Sequence, residues 1–169
     1  MKRAICAVLL ILTLAGCGEA GHPQDGYAEG ALGDTMHTYF FDYTVERAYL
    51  CSELEGYVPA EDKELLAVEI VVENTGEAQV PMWDVDFQAG WGTEDEADHR
   101  SPLAEGLLEG QLPAEYTLEA DEERTGWLVY EVPAGYAEFS ITYQEYFDDG
   151  TTGDRFTVYF PAERENDTV

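Results

Sequence analysis

Basic side chains are scarce in this chain. Eight Lys and Arg stand against 36 Asp and Glu, a formal net charge of −28 over 169 residues. Two of the eight, Lys2 and Arg3, sit at the extreme N-terminus. Such a surface repels nucleic acid and anionic headgroups at contact range and draws in cations and basic partners. Salt screens the effect beyond about 8 Å. Cysteine is nearly as rare. Of three, Cys6 and Cys17 belong to the N-terminal stretch, which leaves Cys51 alone in the remainder. No disulfide can close within the body, and Cys51, between Leu50 and Ser52, reads as a small half-buried residue. The three histidines form no ligand pair. Met36, His37, Cys51, Met82 and His99 could meet at a metal only if the fold brought them together. Gly-x-Ser-x-Gly, a His beside a nucleophile and a phosphate-cradling glycine loop are all missing. The expectation is that the chain is not an enzyme.

What is present begins with a leader. Met1-Lys2-Arg3 is a short basic start, and Ala4 to Leu14 is apolar but only eleven residues long. A spanning helix needs about 20. Leu14-Ala15-Gly16-Cys17 resembles the bacterial lipobox, in which the cysteine thiol is lipidated before cleavage just ahead of it. The resemblance implies a signal peptide over residues 1–16 and a lipidated N-terminal Cys17. It implies a membrane protein held by acyl chains (palmitate among them) on the extracytoplasmic face. Each buried CH₂ contributes about 0.8 kcal/mol, so several chains anchor stably. Residues 17–33, rich in Gly, Ala and acids, read as a flexible tether.

The body, residues 34–162, reads as strands. In Glu64–Gly76 (ELLAVEIVVENTG), Leu66, Val68, Ile70 and Val72 recur at every second position, the pattern of a strand with one buried face. Asn74-Thr75-Gly76 stops it with turn residues. Tyr39, Phe41, Tyr43 and Val45 alternate as a first strand. After Pro81, Trp83, Val85, Phe87, Ala89 and Trp91 share one parity. Tyr116 with Leu118, Gly126–Pro133, Ala137–Tyr143 and Phe156–Phe160 supply the rest, and residues 163–169 are a polar tail. About seven short strands without a convincing helix predict an all-β, antiparallel immunoglobulin-like sandwich of one domain.

Three pieces in this order resemble a bacterial lipoprotein domain of unknown function with a telokin-like immunoglobulin fold. They are Gly33-Asp34 before the first strand, Glu73-Asn74-Thr75-Gly76 closing the central one, and Gly126-Trp127-Leu128-Val129-Tyr130-Glu131-Val132-Pro133. The similarity covers roughly residues 33–160. It implies an extracytoplasmic module that binds or displays something. It brings no catalytic residues with it.

Two candidate sites follow from residue chemistry. Asp148, Asp149 and Asp154, with Thr151 and Thr152, could offer oxygens to calcium from a hairpin loop, and Glu94, Asp95, Glu96 and Asp98 form a second acidic group. Neither fits the EF-hand spacing. The other candidate is aromatic: Tyr57, Trp91 and Tyr146 fall near loops, where Tyr and Trp serve recognition. The sequence therefore reads as a surface binding module for a protein or glycan partner. A calcium-stabilised or ion-binding domain is the alternative.

Overall fold

The computed structural model describes residues 26–92, 98–103 and 106–164. The leader, Cys17, most of the tether and Glu94 to Glu96 lie outside the described residues. Five long strands carry the fold: β3 (Asp42–Cys51), β4 (Lys63–Glu73), β9 (Glu123–Pro133), β10 (Glu138–Tyr146) and β11 (Thr152–Pro161). Around them run shorter pieces: β1 (Tyr27–Ala31), β2 (Thr35–His37), β5 (Val80–Trp83), β6 (Gln88–Trp91), β7 (Asp98–Arg100), β8 (Glu115–Leu118) and β12 (Glu163–Arg164). One sheet has the order β1-β11-β10-β6-β7, the other β12-β3-β4-β9 with β2 on β3, and β5 pairs with β8. The protein is a β-sandwich.

The central strand behaves as its alternation predicts. β4 lies between β3 and β9 and pairs with β9 in register from Lys63 opposite Pro133 to Glu73 opposite Glu123. Leu66, Val68, Ile70 and Val72 are fully buried and join Leu128 and Tyr130 of the neighbouring β9, with Ile141, Val158 and Phe87, in one core between the sheets. Leu65, Ala67 and Val129, of opposite parity, are fully buried too. The 53–62 loop reaches over that outer side, where the Tyr57 hydroxyl and the Ala60 N–H donate to the Glu131 carboxylate. Gly126 is the one position in β9 where a side chain has no room. A Cβ there would lie 2.5 Å from a Leu112 methyl and 2.9 Å from the Gly110 carbonyl.

Three expectations need correction. Residues 27–31 are not tether: β1 is an edge strand paired in parallel with β11, Tyr27 opposite Arg155 through Ala31 opposite Tyr159. Its Gly and Ala give no apolar alternation, because backbone bonding to β11 supplies the order. At the other end, β12 of the polar tail pairs with Tyr49 and Leu50 of β3. Finally, Pro81–Trp91 is not one strand. A 3₁₀ turn over Asp84–Asp86 splits it, with the Asp84 N–H on the Ala114 carbonyl and the Phe87 N–H on the Asp84 carbonyl. The turn resets the parity. Phe87, Ala89 and Trp91 enter the core while Trp83 and Val85 turn outward.

Candidate functional site

The sequence-nominated residues separate. Trp91 is 4 % exposed, a core residue. Its strand parity, not its nearness to a loop, decides its place. Tyr57 is half-buried and its hydroxyl is bound to Glu131 at 3.1 Å, a bond that also pushes the phenol pKa up. Tyr146 is the exception, 68 % exposed at the end of β10.

The three hairpin carboxylates also part ways. Asp149 Oδ1 accepts the Thr151 N–H at 2.9 Å and its hydroxyl at 2.6 Å, a local turn bond. Asp154 Oδ1 accepts the Gly26 N–H at 2.7 Å, which fastens the start of β1. Asp148 joins Tyr146 at a groove instead. Among the described residues no group of three or more His, Cys, Asp or Glu is arranged to hold a metal ion. With Asp149 and Asp154 already accepting backbone N–H donors, calcium at the 148–154 hairpin should shift the melting temperature no more than sodium chloride at matched ionic strength. A rise of roughly 10 °C beyond that control, the size expected of a site saturated one-hundred-fold, would restore the calcium reading.

The groove holding Tyr146 and Asp148 is the candidate site. It has a volume of about 370 Å³ and lies where β5, the 3₁₀ turn and the end of β10 meet. Trp83, 40 % exposed, and Tyr146 form its walls, Phe40, Val80 and Pro81 its apolar flank, Tyr143 part of its floor. Phe40 is held in a ring cluster with Tyr39 and Phe147, centroids 5.1 to 5.4 Å apart. Two carboxylates, Asp86 and Asp148, open into the groove.

Asp86 is the unusual member. It is half-buried, and among the described residues no side chain or N–H donates to it and no cation pairs with it. Burial pushes its pKa upward. Burial pushes the phenols of Tyr143 and Tyr116 up as well; Asp86 adds to both shifts, while Arg124 opposes that of Tyr116. A raised acid pKa means that the folded chain holds its proton more tightly than the unfolded one. The charged form then costs stability above the folded pKa, and the cost fades as pH falls through it. Asp86→Asn should thus melt about 1–3 °C higher than the parent at pH 7, roughly 0.5 kcal/mol after solvent screening. The gap should close towards pH 4. A lower melting temperature at pH 7 would mean that Asp86 has a structural partner.

A second groove, about 450 Å³, crosses the outer face of the β1-β11-β10-β6-β7 sheet. Its tyrosines and threonines bond in pairs, the Tyr27 and Tyr159 hydroxyls at 3.0 Å and the Thr142 and Thr157 hydroxyls at 3.0 Å, and its charged members Glu138 and Arg155 are exposed. It offers no unpartnered half-buried charge of the kind Asp86 presents.

Sequence reasoning missed Trp83, Asp86 and Phe40. A signal was available. Asp84 and Asp86 stand inside an aromatic run, and Asp is depleted in strands.

The model of a family described as "Domain of unknown function (DUF4352)" matches residues 30–152. The chain belongs to the DUF4352 family. Among solved structures, this DUF4352 chain is similar to the yjhA protein of Bacillus subtilis, at 19 % identity and TM-score 0.62, covering 78 % of this chain and 99 % of that one. It is also similar to the ycdA protein of Bacillus subtilis, described as a "putative lipoprotein", at 19 % identity and TM-score 0.56 over 76 % of this chain. The match spans 38 % of the length of ycdA. Both likenesses concern the fold. No curated protein matches.

Proposed function

We propose that this DUF4352 domain is a non-enzymatic recognition module, anchored through Cys17 to the extracytoplasmic face of the cell membrane, and that the Trp83–Tyr146 groove is its binding site. The observation carrying this reading is the half-buried, unpartnered Asp86 in a groove walled by exposed aromatics. A half-buried carboxylate that no protein group bonds is mildly unfavourable for the free fold and stands open to a ligand that brings donors. Exposed Trp and Tyr fit the same purpose, since they offer large contact area for little lost side-chain freedom. The lipobox-like Leu14–Cys17 and the description of ycdA as a "putative lipoprotein" support the anchoring.

The test has two arms. The parent should incorporate labelled fatty acid and partition with membranes, and Cys17→Ser should do neither. In binding arrays of proteins and glycans, Trp83→Ala with Tyr146→Ala should lose at least about tenfold in affinity for what the parent binds, with the melting temperature unchanged. A single interfacial aromatic of this kind contributes about 1–2 kcal/mol. Equal binding by parent and double variant would overturn the groove as the site.

A further inference from the structure

We propose that the occupant of this groove is an extended basic segment of a protein, one of whose Lys or Arg heads meets Asp86 while its stem lies between Trp83 and Tyr146. This rests on the groove being the recognition site and names its ligand class.

Three features of the molecule converge on it. First, the groove holds negative charge and no positive charge of its own. All six basic side chains after the leader are among the described residues. Arg47, Arg124 and Arg164 are paired with Glu69, Glu122 and Glu64. Lys63 and Arg100 line one cleft and Arg155 another, neither of them this groove. Second, the walls suit a cation with an apolar stem. Indole and phenol faces attract ammonium or guanidinium, and the methylene stem of Lys or Arg packs against aromatic surface. The protein already uses such contacts: the Arg47 guanidinium lies 4.7 Å from the Trp127 ring centre and that of Arg124 4.7 Å from the Tyr116 ring centre. Third, the net charge of −28 steers a basic partner towards every face. A neutral glycan could stack on the same rings and bond the same carboxylates. It would leave the charge of Asp86 uncompensated and gain nothing from the field.

The net charge also sets the control, since a polycation would adhere anywhere. The probe is an acetylated, amidated eight-residue peptide of Gly and Ser carrying two arginines, beside the same peptide with two glutamines. Both are titrated into the full chain in non-ionic detergent, with tryptophan fluorescence as readout. The arginine peptide should bind at least about tenfold more tightly than its match, and Asp86→Asn should remove that preference. Glu46→Gln, an equal change of charge at an exposed residue outside the groove, should stay within about twofold of the parent. Equal binding of the two peptides, binding of neither, or equal loss in both variants would overturn the proposal. Neutral oligosaccharides separate the two readings. If they bind through Trp83 and Tyr146 while the arginine peptide does not, the groove stands as a recognition site and its cationic preference falls. If neither kind of probe binds, both fall.

Discussion

Asn74→Ala should lower the melting temperature by roughly 10 °C, a loss of about 2–4 kcal/mol. Asn74 is fully buried just beyond the last residue of β4. Its side-chain N–H groups point at three carbonyls, those of Ala78 at 2.8 Å, Glu119 at 3.0 Å and Leu118 at 3.2 Å. Its Oδ1 accepts the Gly76 N–H at 3.0 Å, and its own N–H reaches the Glu122 carbonyl at 2.9 Å. One amide thus ties the exit of the central strand to the exit of β8 and to the turn that leads into β9. Alanine would leave these backbone groups to water that cannot fully reach them. Asn74→Asp should be worse than alanine, because it turns carboxylate oxygens towards carbonyl oxygens. Thermal melts of the three proteins decide the matter. If the aspartate were the milder change, capture of carbonyls would not be the role of this residue.

The second large effect is at Glu145, which is 1 % exposed. Oε1 accepts the Tyr39 N–H at 2.6 Å and Oε2 the Asp154 N–H at 2.8 Å. Both oxygens are acceptors, so the isosteric Glu145→Gln cannot serve. Whichever way the amide turns, an NH₂ faces an N–H. We expect Glu145→Gln to cost about 2–3 kcal/mol, nearly as much as Glu145→Ala, since charge-assisted bonds to backbone donors are among the stronger ones. Amide exchange gives a local readout. The Tyr39 or the Asp154 N–H should lose protection in the glutamine variant before the β4 amides do. A glutamine variant as stable as the parent would show that one of the two bonds contributes nothing. The consequence reaches the groove, because Tyr39 holds Phe40 in the ring cluster beside it.

These two residues also mark what the sequence could and could not tell. Asn74 was legible as a turn former, because Asn-Thr-Gly after a Val-rich strand is a local signal. Its grip on Leu118 and Glu119 was not, since contacts more than forty residues apart leave no trace in spacing. The alternation of Leu66, Val68, Ile70 and Val72 was legible for the opposite reason: a strand with one buried face repeats every two residues wherever it lies. The same rule failed at Trp83, where three residues of 3₁₀ turn break the count and send Phe87 inward. It also failed at Tyr39, because the hairpin of β2 with β3 delays the first long strand to Asp42. The three N-terminal residues of that expected strand are used differently, with the Phe40 and Phe41 N–H groups both on the Thr38 hydroxyl. Of the candidate site, Tyr146 and Asp148 could be named from their place at a hairpin. Asp86 could not be found from a pattern that placed it on the solvent side of an unbroken strand.

If Cys17 is acylated as proposed, the clasp between Gly26 and Asp154 sets how far from the membrane this groove can stand. Asp154 belongs to the same end of the sandwich as Tyr146, which pairs with Thr152 across the β10–β11 hairpin. With an acylated Cys17, the chain from Cys17 to Gly26 can reach at most about 30 Å when fully extended. Tyr146 and Asp148 would then work within a shallow layer above the lipid, and a basic partner confined to that layer would meet them at a local concentration far above its average in the surrounding fluid. A groove at the opposite end of the sandwich would sample a different volume. Lengthening the tether should therefore weaken capture of membrane-held partners while leaving affinity for the free peptide untouched.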